Sequence, residues 1–125
     1  MKSIDALDLK PGSYMLIEGV ACAVKNSDKS KTGKHGASKC RIEAIGLFDG
    51  KKRIIAVPGS ERFEVPMIDK RRGQVLSING NQASIMDLET FETLDVKIEE
   101  GVEAKEKDNV EYWNFNTEKL IKRVV

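Results

Sequence analysis

The stretch YMLI-EG-VACAV, residues 14–24, decides the fold class of this chain. It places two short apolar runs, Tyr14–Ile17 and Val20–Val24, on either side of the turn residues Glu18-Gly19. Short apolar runs that are bounded by glycine-containing turns are typical of β-strands. The stretch therefore predicts two neighbouring strands.

The same pattern continues downstream. Strands are predicted over Arg41–Phe48 and Arg53–Val57, with the hairpin signal Asp49-Gly50 between them and Pro58-Gly59 after them. Phe63, Val65 and Met67 then alternate with polar residues until Pro66 interrupts the pattern, which indicates a half-buried strand near a sheet edge. Five short strands of this kind predict a small barrel.

A charged break, Asp69–Gly73, separates this region from a second one of the same style. We place a domain boundary near residue 68, which gives domains 1–68 and 69–125. The second domain has the hairpin signal Asn79-Gly80 and a charged loop or short helix over Glu99–Asp108. Its predicted strands are Gln74–Ile78, Ala83–Leu88, Leu94–Ile98, Val110–Phe115 and Leu120–Val125. Five strands with one short insertion fit an OB barrel, so the whole chain is expected to be all-β.

The size and charge of the chain limit its function. Two domains of about 60 residues bury only roughly 60% of their unfolded surface, which leaves no room for a large substrate cavity. The net charge is +1, but it is unevenly divided. Residues 1–68 carry 12 Lys and Arg against 8 Asp and Glu, whereas residues 69–125 carry 9 against 12. The first domain is therefore the better candidate for binding a polyanion.

The two cysteines and the N-terminus point to a cytoplasmic protein. Cys22 and Cys40 lie in apolar contexts and are expected to be buried free thiols, although a disulfide between them stays an alternative. Residues 1–10 have no apolar signal region, and no apolar run is long enough to span a membrane.

The segment KNSDKSKTGKHGASK, residues 25–39, departs from the strand pattern because its only apolar residue is Ala37. We expect a long exposed hairpin loop, since burial would leave several lysine charges without partners. Gly33 and Gly36 flank Lys34 and His35, and glycine leaves the backbone thin and adaptable there. The loop is either a site that binds a polyanion or a solvated face.

Three kinds of site are excluded for this loop. A phosphate-binding P-loop would need glycine at Asp28 and Ser or Thr at His35. Cys22, His35 and Cys40 are too few for a structural zinc site. His35 has no nucleophile or orienting carboxylate nearby in sequence, and a catalytic Lys34 would need desolvation to lower its pKa. The remaining interpretations are that the loop binds a ligand through its exposed lysine or that this lysine is modified.

The motif Lys31-Thr32-Gly33-Lys34-His35-Gly36 resembles the hypusine loop of the translation initiation factor 5A family, in its archaeal form. The segments from Val57 to Pro66 and Glu111-Tyr112-Trp113 are also similar to that family. The resemblance implies that domain 1–68 is an SH3-like barrel carrying the loop, and that domain 69–125 is an OB fold. It also implies that Lys34 receives an aminobutyl group from spermidine through deoxyhypusine synthase, as deoxyhypusine or hypusine.

The same resemblance implies a non-enzymatic translation factor. It is expected to bind the ribosome and the peptidyl-tRNA, and to promote peptide bond formation at stalled sites such as proline runs. No metal, no membrane and no cofactor beyond the covalent modification are expected, and the chain should be a monomer. Around Lys34, the modification loop comprises Lys31, Thr32, Gly33, His35 and Gly36. The candidate RNA phosphate contacts are Lys25, Lys29, Lys39 and Arg41.

Two questions stay open at this point. A generic RNA-binding or chaperone module with two β-barrels is the alternative function, in which Lys34 is one phosphate contact among many. The aromatic residues of the second domain either stack on bases or serve core packing and protein contacts, and its acidic charge favours the latter. They are Phe91, Tyr112, Trp113 and Phe115.

Overall fold

A computed structural model describes residues 2–31 and 38–125, with Lys31 described by its backbone alone. The described residues form strands throughout, apart from turns, loops and one 3-10 turn at Ala6–Asp8. The prediction of an all-β chain is confirmed. The chain divides into two compact units, Met1–Pro66 and Met67–Val125.

The first unit has a four-stranded antiparallel sheet in the order β2-β3-β4-β5 and a two-stranded antiparallel sheet of β1 and β6. The strands are β1 (Ser3–Asp5), β2 (Tyr14–Ile17), β3 (Val20–Lys31), β4 (Ser38–Gly46), β5 (Lys52–Pro58) and β6 (Arg62–Glu64).

Both sheets of the first unit cover a single core. Alternate residues of β2, β3 and β4 point into it, as the period of two along a strand requires, and Met15, Cys22 and Ile42 are fully buried. Ile4 and Phe63, from the two-stranded sheet, pack against the same core. This is the SH3-like small-barrel arrangement expected for this half of the chain.

The second unit is a closed five-stranded barrel in the order β10-β11-β9-β8-β7. Pairing of β10 with β7 closes it, and β11 and β9 form its parallel pair. The irregular segment between β9 and β10 contributes Val102 and Ala104 to the edge of the core. The strands are β7 (Asp69–Asn79), β8 (Gln82–Asp87), β9 (Thr93–Ile98), β10 (Asn109–Phe115) and β11 (Glu118–Val124).

The prediction that the whole segment from Lys25 to Lys39 is a loop was wrong. β3 continues to Lys31 and β4 begins at Ser38, so much of the segment is paired strand. Backbone hydrogen bonds carry this ladder, and they need no apolar side chains. Beyond Lys25, β3 carries polar side chains on both faces and therefore lacks the apolar alternation from which strands are predicted.

Candidate functional site

The candidate site is the β3–β4 hairpin, which carries the Lys34 motif between its two strands. The antiparallel register runs from Cys22 opposite Gly46 to Lys31 opposite Ser38. The predicted modified residue Lys34 lies outside the described residues, and so do the predicted loop residues Thr32, Gly33, His35 and Gly36. The structure describes the two strand ends, Lys31 and Ser38, that flank them.

A β-bulge at Lys25 sets the orientation of the hairpin. Val24 pairs with Ala44 and Asn26 with Glu43, so Lys25 is an extra residue on β3. Because successive residues of a strand alternate between faces, one extra residue reverses the alternation beyond it. Even-numbered residues of β3 point into the core before the bulge, and odd-numbered residues share the core-side face after it.

The register divides the predicted phosphate contacts between the two faces of the hairpin. Lys29 pairs with the buried Cys40, whereas Lys39 pairs with Ser30 and Arg41 with Asp28. Paired residues share a face, so Lys39 and Arg41 lie opposite to Lys29. All three are exposed, as is the bulged Lys25. Polyanion contacts from both sides of the hairpin are therefore geometrically possible.

The face that carries Arg41 forms an open groove across β3, β4 and β5. Asp28, Arg41 and Ala56 lie abreast on the three strands, and the next row is formed by Ser30, Lys39 and Pro58. These residues, together with Lys29 and Cys40 and apart from Pro58, line the groove. On this face two basic side chains, Lys39 and Arg41, lie beside one carboxylate, Asp28, which suits a phosphate-bearing ligand.

A short chain of backbone hydrogen bonds holds β4 at its first residue, where the strand leaves the motif. The amide of Gly59 donates to the Ser38 carbonyl at 2.7 Å, and the amide of Leu7 donates to the Gly59 carbonyl at 3.2 Å. A Cβ atom on Gly59 would lie 2.7 Å from Cγ of Leu7. The sequence indicated only a turn at Pro58-Gly59, because a close approach to a residue far along the chain leaves no local signal.

The two cysteines are buried free thiols, as expected. Cys22 lies opposite Gly46 and Cys40 opposite Lys29, so roughly 20 Å of strand separates them along β4. Burial raises the pKa of the Cys22 thiol, which keeps it protonated and unreactive. Across residues 2–31 and 38–125, no group of His, Cys, Asp and Glu is arranged to hold a metal ion.

A buried carboxylate organises one end of the second barrel. Asp87 is 1% exposed and accepts hydrogen bonds from Nε of Arg71 at 2.7 Å and from the hydroxyl of Tyr112 at 2.5 Å. The Arg71 guanidinium holds the pKa of Asp87 well below its usual range. Burial, followed by the hydrogen bond to Asp87, raises the pKa of Tyr112 to about 12. Sequence reasoning missed this network because its members lie far apart in the chain.

The aromatic residues of the second barrel do not form one stacking surface. Tyr112 is buried, and Trp113 lies on the opposite face of β10, where Nζ of Lys70 and Nζ of Lys122 lie 4.4 and 4.7 Å from its ring centroid. Phe91 is 69% exposed on the turn between β8 and β9. Core packing is therefore the role of Tyr112, whereas the Phe91 side chain is mostly exposed.

Within the described part of the chain, no helix has both the length and the hydropathy needed to cross a membrane.

Comparisons with known proteins agree with the fold. Residues 2–61 match the family described as translation initiation factor 5A-like, N-terminal. Translation initiation factor 5A of Thermococcus gammatolerans is 49% identical, over 93% of this chain and 90% of its own. A solved structure of eukaryotic translation initiation factor 5A from Methanococcus jannaschii superimposes with a TM-score of 0.89 at 42% identity, over 99% of this chain and 94% of that one.

The likeness extends beyond archaea. A family protein from Naegleria fowleri superimposes with a TM-score of 0.77 at 29% identity, over 98% of this chain and 96% of that one. These matches cover both barrels and the hairpin between β3 and β4. The chain is therefore a translation factor that belongs to the translation initiation factor 5A family.

Proposed function

We propose that this protein binds the ribosome and promotes peptide bond formation at stalled sites such as proline runs. In this proposal Lys34 carries a deoxyhypusine or hypusine side chain that reaches the peptidyl-tRNA. The observation that supports it most is the β3–β4 hairpin, whose paired strands end at Lys31, the first residue of the motif, and at Ser38, two residues after Gly36. The proposed modification requires a hairpin of this family that carries the Lys34 motif.

The modification would convert a short cation into a longer one. Lysine is a single ammonium group on a four-carbon stem. Transfer of an aminobutyl group from spermidine by deoxyhypusine synthase lengthens that stem and adds a second amine. Two amines on one extended side chain bridge several phosphates, so the group is suited to holding the end of a tRNA.

The proposed mechanism is orientation of the reactants. The chain need not donate or accept a proton, because correct positioning alone lowers a barrier by several kcal/mol. Proline is a constrained and poor nucleophile, so its reactions gain most from such positioning. The factor would act as a cytoplasmic monomer and not as an enzyme.

The exposed cations of the hairpin would support this role. Lys29 lies on one face, and Lys39 and Arg41 on the other, so backbone phosphates would be contacted from both sides. Phosphate contacts of this kind weaken as the salt concentration rises.

The groove lined by Lys39 and Arg41 also favours a second candidate, a generic RNA-binding module in which Lys34 has no special role. Two variants separate the candidates. Lys34→Arg keeps the charge but cannot be modified, whereas Lys29→Ala removes a neighbouring charge and leaves Lys34 intact.

The experiment measures peptide bond formation on ribosomes stalled at a proline run. The proposal expects Lys34→Arg to abolish the stimulation and Lys29→Ala to reduce it mildly. If Lys34→Arg keeps full activity while Lys29→Ala weakens it, the RNA-binding module is the better account.

A further inference from the structure

The turn between β8 and β9 displays an exposed aromatic side chain on a firmly held backbone. It comprises residues 88–92, with Leu88 37% and Phe91 69% exposed. Large aromatic side chains are usually at least half buried because they carry much apolar surface. Phe91 therefore contributes little to the core of its own barrel.

Asp87 holds this turn in place. Its Oδ1 accepts hydrogen bonds from the amides of Glu89 at 2.8 Å and Thr90 at 2.9 Å. The amide of Phe91 donates to the Asp87 carbonyl at 2.8 Å, and the amide of Asp87 donates to the Glu92 carbonyl at 2.9 Å. Because Arg71 and Tyr112 in turn fix the Asp87 carboxylate, the position of Phe91 is set before any partner binds.

The backbone at Phe91 is in a conformation that suits other residues better. Its φ is 61°, in the left-handed region where glycine and asparagine are favoured. The other two hairpin turns of the same barrel use those residues, with Gly80 at φ 64° and Asn116 at φ 54°. At this turn alone among the three, a bulky side chain occupies the strained position. Neither burial nor backbone preference explains its presence.

The charges around Phe91 indicate what it would contact. Glu89 and Asp69 are 75% and 52% exposed, and Glu92 is exposed as well. The half-buried Arg71 already contacts Asp87, Asp69 and Glu89. Arg72, the next residue of β7, lies on the opposite face of the strand, where it pairs with Glu111 of β10. The carboxylates around the exposed ring repel the phosphates of a nucleic acid and attract a basic protein surface.

We propose that the β8–β9 turn is a docking surface on which Phe91 inserts into an apolar pocket of a basic protein on the ribosome. This inference rests on the proposed function, which supplies the ribosome as the site of binding. The carboxylates of Asp69, Glu89 and Glu92 attract the basic partner. The Phe91 side chain provides most of the affinity, as buried aromatic residues do at protein interfaces.

The decisive variant is Phe91→Asn, because asparagine fits the left-handed backbone. A structural role for the ring predicts that this variant is less stable than the wild type. A docking role predicts an equal or higher stability together with an affinity for purified ribosomes that is lower by about tenfold or more. The matched control is Leu76→Asn, which introduces the same residue in place of another exposed apolar side chain of the barrel.

The expected result is that Leu76→Asn binds ribosomes like the wild type and that Phe91→Asn binds protein-free ribosomal RNA like the wild type. Ribosome affinity of Phe91→Asn within about twofold of the wild type overturns the docking surface. If the wild type itself does not bind ribosomes, the proposed function fails, and the docking inference fails with it.

A photo-cross-linker identifies the class of partner. The full-length protein with p-benzoylphenylalanine at position 91 is irradiated on intact ribosomes. We expect the cross-link on a basic ribosomal protein. A cross-link to ribosomal RNA, or to no component of ribosomes that have bound the protein, would contradict the proposal.

Discussion

The amide of Gly59 donates a 2.7 Å hydrogen bond to the carbonyl of Ser38, the first residue of the strand that follows the Lys34 motif. Gly59 in turn accepts a hydrogen bond from the amide of Leu7, in the 3-10 turn beside the core. One arm of the hairpin is thus tied to the body of the first unit at the point where the motif ends. The position of this arm should depend on the small size of residue 59.

Gly59→Ala should therefore destabilise the first unit and slow the modification of Lys34. The new Cβ would meet Cγ of Leu7 at 2.7 Å, and overpacking of this kind costs about 1–3 kcal/mol. Urea unfolding gives the first effect, and aminobutylation by purified deoxyhypusine synthase gives the second. The double variant Leu7→Ala with Gly59→Ala removes the clash and should recover both. If Gly59→Ala matches the wild type in both measurements, residue 59 does not set the position of this arm.

The bulge at Lys25 gives a second prediction. Deletion of Lys25 removes the extra residue, and with it the local bend and the added twist that a bulge gives to its strand, while the pairs of Val24 with Ala44 and of Asn26 with Glu43 are kept. We expect the deletion to abolish modification of Lys34, whereas Lys25→Ala removes the charge, keeps the bulge and is modified at nearly the wild-type rate. Intact-mass measurement after incubation with the synthase and spermidine compares the two. Equal modification of both variants would show that the bulge does not orient the motif.

The buried Asp87 should be among the most sensitive positions of the second barrel. Asp87→Asn leaves Arg71 without its buried partner and should lower the free energy of unfolding by about 3 kcal/mol. Tyr112→Phe removes one of several hydrogen bonds to the carboxylate and should cost about 1.5 kcal/mol. Thermal and urea unfolding rank the two variants. The opposite order would mean that the hydroxyl of Tyr112, and not the ion pair, dominates the network.

The same carboxylate predicts how stability depends on pH. Arg71 lowers the folded-state pKa of Asp87 below the value of about 3.9 for an unfolded aspartate. A lowered pKa stabilises the fold above the unfolded value, and this stabilisation is lost as the pH falls towards the folded value. The wild type should therefore lose stability below about pH 5 faster than Asp87→Asn, by up to about 1.4 kcal/mol per pH unit. Parallel curves for the two proteins between pH 5 and pH 3 would contradict this.

The strands with apolar alternation were predictable from sequence, and the contacts between distant residues were not. Tyr14–Ile17 has the predicted bounds, because its burial pattern and its flanking turn are both local signals. The part of β3 beyond Lys25 was missed since its residues are polar on both faces. Asp87 contacts Arg71 and Tyr112, which lie 16 and 25 positions away in the chain, and no pattern in the residues around Asp87 predicts these contacts.

The candidate site likewise has a part that the sequence predicts and a part that it does not. Lys34 was singled out by its motif and by the family that the motif resembles, and its modification stays a prediction because residues 32–37 lie outside the described part of the chain. The face on which Lys29 lies cannot be read from the alternation of Val20–Val24, because the bulge at Lys25 reverses that alternation. A bulge is set by the pairing register of two strands, so the side-chain pattern of one strand does not reveal it.

The central claim is that Lys34 carries a spermidine-derived aminobutyl group in the working protein. Intact-mass analysis of the protein purified from its native host, followed by peptide mapping, tests it most directly. We predict a mass increase of one aminobutyl group, with or without an added hydroxyl oxygen, located on Lys34. A native protein of unmodified mass, or one modified at a different lysine, would contradict the account.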